Sequence, residues 1–108
     1  MAFERVCAAD DLEPGGMAAF FLGWEVLVVR DRAGELRALD GTCPHEDYPL
    51  INGELDGDTL VCANHLWCFD VTSGKGINPP TCKLAQYALK VEDGEVFVDI
   101  DVELGPPS

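Results

Sequence analysis

Apolar and polar residues alternate near the end of the chain in the way expected of a β-hairpin. The alternation runs through Tyr87, Leu89 and Val91 and resumes at Val96, Val98 and Ile100. The two runs are separated by Glu92-Asp93-Gly94, and an Asp-Gly pair between alternating segments is a strong signal for a two-residue hairpin turn. The sequence therefore predicts two antiparallel strands joined at Asp93-Gly94.

Four shorter apolar segments upstream predict further strands. Residues 25–29 end at a turn over residues 30–34, after which apolar positions resume at Leu36, Ala38 and Leu39. Two more short strands are predicted at residues 59–62 and 66–71. Many short strands favour an all-β fold, either a sandwich or a small barrel.

Helical and frayed segments are expected to be short. No stretch of ten or more residues has a helical apolar stripe, and residues 10–15 could form one turn at most. The tail from Glu103 onward, which contains Pro106 and Pro107, is expected to fray.

Length and charge narrow the class of protein. The chain has 108 residues, with 20 acidic and 7 basic side chains and a net charge of −13. This length suits one domain, spanning residues 1–108. Phosphate neutralisation requires Lys and Arg, so the charge argues against nucleic-acid binding and against an anionic membrane surface. A protein partner with a basic docking patch suits this surface better.

The N-terminal and apolar segments predict a cytoplasmic protein. Residues 1–6 lack the basic start and apolar stretch of a secretion signal. The most apolar run, residues 18–29, is twelve residues long and contains Glu25, which is too short to span a bilayer. In a reducing compartment, the five cysteines are expected to be metal ligands or packing residues rather than disulfides.

The chemistry of the chain is concentrated in two short motifs. Cys43-Pro44-His45 and Cys62-Ala63-Asn64-His65 contain both histidines of the sequence, each two or three residues after a cysteine. Turn-forming residues adjoin both motifs, so each is expected on a loop at a strand end. The sequence thus predicts one site with four ligands, Cys43, His45, Cys62 and His65.

Two kinds of metal centre suit two thiolates and two imidazoles. Tetrahedral zinc accepts this ligand set, and a structural zinc module remains an alternative. Zinc fingers with two Cys and two His group their cysteines in one half and their histidines in the other, whereas here each loop offers one of each. That arrangement fits a binuclear iron–sulfur centre in which one iron takes both cysteines and the other both histidines.

The segment CPHEDYPLINGELDGDTLVCANHLWCFD resembles the cluster-binding region of Rieske-type [2Fe-2S] ferredoxins. The resemblance continues through GKGINPP and YALKVEDGEVFV, and within the family it is strongest to ferredoxin components of toluene and alkene monooxygenases. It implies an all-β, Rieske-type antiparallel sandwich with a small cluster-binding lobe at about residues 40–80. It also implies one [2Fe-2S] cluster per chain, held by the four motif residues.

The resemblance further implies a function without catalysis of its own. The expected role is one-electron transfer from an NADH-oxidising flavin or iron–sulfur reductase to a di-iron hydroxylase of a hydrocarbon monooxygenase. A ferredoxin of an aromatic-ring-hydroxylating dioxygenase is the alternative within the family. Trp67 and Pro79 are the residues expected to contact the partner, and the chain is expected to be a monomer.

Two further expectations follow from residues near the motifs. Trp67 and Phe69 occupy positions where respiratory Rieske proteins have a Ser and a Tyr that donate hydrogen bonds to the cluster. Fewer donors stabilise the reduced state less, so the reduction potential is expected near the low end of the Rieske range, about −150 mV. The cysteines outside the motifs, Cys7, Cys68 and Cys82, are expected to be packing thiols.

Overall fold

The computed structural model describes residues 3–42, 49–62, 67–78 and 84–104. Ten strands are present in this part of the chain: β1 (Glu4–Ala8), β2 (Met17–Phe21), β3 (Glu25–Arg30), β4 (Leu36–Asp40), β5 (Glu54–Asp56), β6 (Thr59–Val61), β7 (Cys68–Asp70), β8 (Gly76–Asn78), β9 (Gln86–Glu92) and β10 (Glu95–Leu104). Two 3-10 turns, Ala9–Asp11 and Leu50–Asn52, are the helical elements of the described residues. The all-β prediction is therefore confirmed.

The strands form two antiparallel sheets of different size. The larger sheet has the order β1-β10-β9-β4-β3-β2, and the smaller has the order β5-β6-β7-β8. The smaller sheet is inserted in sequence between β4 and β9, which are neighbours in the larger sheet. The predicted segment of residues 40–80 contains all four strands of the smaller sheet.

Strand β3 lies between two hydrophobic cores because all four of its central residues are fully buried. Leu27 and Val29 face the smaller sheet, while Val26 and Val28 face the other side. The junction core, between the two sheets, comprises Leu27, Val29, Leu39, Leu50, Leu60, Cys62, Phe69, Val71 and Leu84. The basal core, within the larger sheet, comprises Cys7, Leu12, Val26, Val28, Ala38, Tyr87, Val96 and Val98.

Both predicted hairpins are present. Strands β3 and β4 pair from Val26 opposite Asp40 to Arg30 opposite Leu36. Strands β9 and β10 meet at a turn in which Asp93 has φ 53° and Gly94 has φ 76°. Positive φ at both central residues is the geometry that an Asp-Gly hairpin turn requires.

The expected fraying from Glu103 onward is wrong for the first two residues of that tail. Glu103 pairs with Tyr87 and Leu104 pairs with Gln86, beyond a break in register that follows Asp99. The bulge shifts the side-chain alternation, which hides the continuing strand from a search for period two. Residues 105–108 lie outside the described part of the chain.

The other differences concern strand limits in the smaller sheet and near the N-terminus. The strand predicted at residues 66–71 is shorter, Cys68–Asp70, and the one predicted at residues 59–62 ends at Val61. Strand β8, Gly76–Asn78, was not predicted from the sequence. Strands β1 and β2 were also not predicted, and the helical turn expected within residues 10–15 is at Ala9–Asp11.

Candidate metal centre

The first motif belongs to a segment whose two ends are held together by the backbone. Thr42 and Pro49 form an isolated antiparallel bridge, and the Leu50 N–H donates to the Gly41 carbonyl at 2.9 Å. The Asp40 carboxylate accepts hydrogen bonds from the Thr42 N–H at 3.1 Å and from its hydroxyl at 3.0 Å. The residues on the two sides of residues 43–48 are therefore held next to each other by hydrogen bonds.

The second motif begins at Cys62 and is closed in the same way. The Cys62 N–H donates to the Trp67 carbonyl at 2.7 Å, immediately beyond the Val61–Cys68 pair of strands β6 and β7. The Cys62 side chain is fully buried in the junction core. The described residues on either side of residues 63–66 are thus joined by a short hydrogen bond at the end of a hairpin.

Described residues that flank the two motifs adjoin the same end of the smaller sheet. Strand register places Glu54, Val61, Cys68 and Asn78 in one row across this sheet. We call this row the ligand end. Cys62 follows the row directly, and the returning end of the first segment reaches it through the 3-10 turn Leu50–Asn52. Strand β8 also ends in this row, directly before Pro79.

Gly53 explains how the 3-10 turn Leu50–Asn52 can approach strand β6 so closely. A Cβ atom at this position would collide with the Val61 carbonyl oxygen, so only glycine fits between the 3-10 turn and strand β6. Leu50 and Cys62 then pack in the same core, with Ile51 and Trp67 against its edge. Packing in this core therefore brings together the residues that flank the two motifs.

The structure describes only some of the predicted site residues. Cys62 lies at the ligand end, and Trp67, directly before strand β7, is half-buried against the junction core. Cys43, His45, His65 and Pro79 lie outside the described residues. Consistent with this, no group of three or more potential metal-ligating side chains occurs in the part that the structure describes.

The donor set suits an iron–sulfur cluster. A buried thiol such as Cys62 binds metal as a thiolate, and in a low-dielectric core that charge requires a cation beside it. Leu50, which follows residues 43–48 closely in sequence, packs in the same core as this thiol, and a set of two cysteines and two histidines fits the group. Cys62 is the one predicted ligand whose surroundings are described.

Sequence reasoning missed the side chains that fix two turns, one at the base of the first motif and one after strand β7. Asp40-Gly41-Thr42 and Asp70-Val71-Thr72 share the pattern Asp-x-Thr, and in both the Asp accepts from the Thr N–H and hydroxyl. Asp and Thr separated by one residue are typical of such turns, so the repeated pattern was a usable signal. Gly53 had no comparable signal.

The fold and the site together define a class: a small all-β protein with two Cys-His motifs in the connections around a four-stranded sheet. The family model for the Rieske [2Fe-2S] domain matches residues 2–88 of the chain. The chain therefore belongs to the Rieske [2Fe-2S] family, and its cofactor is a [2Fe-2S] cluster. The four-stranded sheet and the larger sheet are accordingly a Rieske-type arrangement.

Two of the similar proteins are ferredoxin components of oxygenases. The chain is 45% identical over 98 residues to the ferredoxin component of the alkene monooxygenase system of Xanthobacter autotrophicus, covering 89% of this chain and 80% of that protein. It is 36% identical over 102 residues to the ferredoxin component of biphenyl 2,3-dioxygenase from Rhodococcus jostii, covering 94% and 95%.

Solved structures agree with this family. The ferredoxin of carbazole 1,9a-dioxygenase from Nocardioides aromaticivorans superposes with a TM-score of 0.82 at 30% identity, covering 91% of this chain and 97% of that one. A chain from a complex of reduced oxygenase and oxidised ferredoxin in carbazole 1,9a-dioxygenase gives 0.81 at 33% identity, covering 89% and 100%. No described helix is long and apolar enough to cross a membrane.

Proposed function

We propose that this protein is a one-electron carrier between an NADH-oxidising flavin or iron–sulfur reductase and the di-iron hydroxylase of a hydrocarbon monooxygenase. The 45% identity to an alkene monooxygenase ferredoxin component carries this proposal. The bound cluster takes up one electron and gives it up again. The chain itself supplies ligands, a buried base for the site and a surface for the partners.

Cys43, His45, Cys62 and His65 are the proposed ligands, with the thiolates on one iron and the imidazoles on the other. Cys62 supports this assignment because it is fully buried at the ligand end and its N–H is held by the Trp67 carbonyl. The cluster-binding lobe is proposed to span about residues 40–80 within a single domain of residues 1–108. We further propose that the protein is monomeric and cytoplasmic.

Trp67 and Pro79 are the proposed contacts with the hydroxylase. Trp67 adjoins the second motif, and Pro79 directly follows the last residue of strand β8 at the ligand end. Trp67 also packs against the junction core, so its ring has a structural role that the docking test must separate. A partly buried aromatic ring beside a redox centre is a common anchor for a protein partner.

A ferredoxin role in an aromatic-ring dioxygenase is the second candidate. The 36% identity to a biphenyl dioxygenase ferredoxin component over nearly the full length of both chains favours it. The two candidates share cofactor and reaction and differ only in the oxygenase that receives the electron. Single-turnover reduction of a purified di-iron hydroxylase and of a Rieske dioxygenase by the same reduced protein distinguishes them.

The cluster itself is tested by analysis of anaerobically prepared protein. We expect about two irons and two acid-labile sulfides per chain, visible absorption, a Rieske paramagnetic signal on reduction, and a midpoint potential of about −150 mV. One zinc with no sulfide would refute the proposal and favour the structural module. A potential well above 0 mV would contradict the expected scarcity of hydrogen-bond donors.

Ligand assignment is tested with Cys62→Ser and His65→Ala. Each is expected to abolish the visible spectrum because one coordination position is lost. Cys7→Ala is the matched control, since Cys7 lies in the basal core and is not a proposed ligand. Retention of the wild-type spectrum by either ligand variant would contradict the assignment.

The docking role of Trp67 is tested by Trp67→Ala and Trp67→Phe. If the ring contacts the hydroxylase, transfer to the hydroxylase slows in the alanine variant at an unchanged midpoint potential. An unchanged transfer rate would show that the ring only packs against the core.

A further inference from the structure

A groove at the end of the larger sheet lies beside the base of the first motif. It has a volume of about 440 Å³, and its lining includes Trp24, Glu25, Asp40, Thr42, Tyr87 and Ile100. Thr42 is the last described residue before Cys43. The groove therefore borders the residue that leads into the first motif.

The apolar wall of the groove is formed by an exposed tryptophan. Trp24 is 50% exposed, an unusual exposure for so large an apolar side chain, and its ring lies 6.1 Å from the ring of Tyr87 at a tilt of 42°. It is held in place by the turn before strand β3, where the Leu22 N–H donates to the Trp24 carbonyl at 2.9 Å. Gly23 in this turn has φ 97°, a backbone conformation that favours glycine. The Trp24 ring is thus exposed to solvent on a turn that a hydrogen bond holds in place.

The groove is also lined by acidic residues. Glu25 and Asp40 line the groove, and none of the described side chains that line it is basic. The Oε2 atom of Glu25 is buried and has no hydrogen-bond partner among the described residues. A buried carboxylate oxygen without a donor is unfavourable, and a cationic group bound in the groove would lower the cost of its charge through space.

Glu25 also contacts the base of the first motif. Its carbonyl accepts from the Gly41 N–H at 2.9 Å, and a Cβ atom at Gly41 would lie 2.7 Å from Glu25 Cγ. A group bound in the groove would consequently rest against the backbone that leads into residues 43–48. This position places a bound group beside the backbone that precedes Cys43.

We propose that this groove docks an arginine or lysine side chain of the oxygenase component, with Trp24 packing along its aliphatic stem and Glu25 pairing with its charge. The proposal rests on the proposed function. Charge complementarity supports it, because the chain has a net charge of −13 and the groove has carboxylates beside an aromatic ring. Long cationic side chains bind well where an aromatic face and a carboxylate meet.

The test compares Trp24→Ala, Trp24→Phe and Glu25→Gln with two control variants. Val91→Ala removes an apolar side chain that is also 50% exposed, and Glu13→Gln removes an exposed charge at the opposite end of the β2–β3 hairpin. The measurements are the Kd for the oxygenase component and the rate of reduction by the reductase. Wild-type protein must first show the Rieske spectrum and transfer electrons to the oxygenase; failure there refutes the proposed function, not the groove.

We expect Trp24→Ala to raise the Kd about tenfold and Glu25→Gln about fivefold, with the controls within about twofold of wild type. The effect of Glu25→Gln should fade at high salt, because it is electrostatic, whereas that of Trp24→Ala should persist. Reduction by the reductase should be unchanged. If Trp24→Ala alters the visible spectrum, its Kd is set aside, and the proposal is judged on the Kd values of Trp24→Phe and Glu25→Gln.

Three outcomes would overturn the proposal. An unchanged Kd for Glu25→Gln would show that no cationic side chain pairs with this carboxylate. An effect confined to reduction by the reductase would assign the groove to the other partner. Equal weakening by Glu13→Gln would show that only the overall negative charge matters.

Discussion

The two sheets reach their stability by different means. Strands of the larger sheet are five to ten residues long, whereas every strand of the smaller sheet has three residues. The larger sheet has a core of its own, but the core beneath the smaller sheet is shared with Leu27, Val29 and Leu39 of the larger one. Three-residue strands with half a core are marginal by themselves.

This difference indicates which sheet depends on the cofactor. The smaller sheet carries both segments with proposed ligands, and a metal bound between them adds free energy that the short strands lack. The larger sheet positions the smaller one and needs no metal to form its hairpins. Cluster removal, the glycine variants and the valine variants therefore compare the smaller sheet with the larger one.

Removal of the cluster should have the largest effect. We expect amides of strands β5 to β8 to lose hydrogen-exchange protection in the apo-protein, because metal binding and folding of this region are coupled. Amides in the centres of β3, β9 and β10 should stay protected. Full protection of the smaller sheet without metal would contradict the comparison.

Gly74→Ala should strongly disturb the connection between the sheets. Gly74 has φ 77°, its carbonyl accepts from the Leu84 N–H at 2.6 Å, and an added Cβ would collide with the Leu84 carbonyl oxygen. We expect a loss of about 3 kcal/mol in the free energy of unfolding and faster release of the cluster.

Gly34→Ala is the control for this change. Gly34 has φ 88°, but a Cβ added there would meet no described atom within 4 Å, so only the backbone preference is lost, about 1 kcal/mol. Chemical denaturation of both variants measures the difference. Equal losses would mean that the Leu84 contact is unimportant.

Val71→Ala and Val96→Ala compare the two cores with the same chemical change. Both valines are fully buried, Val71 in the junction core and Val96 in the basal core. Each substitution should cost about 2 kcal/mol of stability, from lost burial and the cavity left behind. Only Val71→Ala should also speed cluster loss to a chelator, followed by visible absorbance. The same acceleration in Val96→Ala would show that the cores are not separable.

Cys7 gives the smallest expected effect, a dependence on pH within the basal core. Burial raises the pKa of the Cys7 thiol, Asp11 raises it further, and Arg5 acts in the opposite direction. Above the ordinary thiol pKa, the unfolded chain releases a proton that the native protein keeps, so stability falls as pH rises. Cys7→Ala should reduce this fall by less than about 1 kcal/mol between about pH 7.5 and 9.5. Denaturant titrations at the two pH values measure it, and an unchanged fall would contradict the assignment.

Local sequence patterns were sufficient for the class of fold and for the candidate ligands. The Asp93-Gly94 turn and the alternation on either side specified a hairpin because turn geometry and side-chain period are local properties. The pairing of each histidine with a nearby cysteine pointed to one metal centre for a similar reason, since ligand chemistry is a property of residue types. The low number of helical residues followed from the same pattern.

Tertiary structure alone decided how these parts meet. Gly53 fits against the Val61 carbonyl, the Asp58 carboxylate accepts the Arg32 N–H at 2.8 Å, and Leu104 pairs with Gln86 beyond a bulge. The groove beside Trp24 likewise combines residues from several strands and their connections. Such contacts join residues far apart in the chain, and their free energy depends on the packing of the whole molecule, which no local pattern contains.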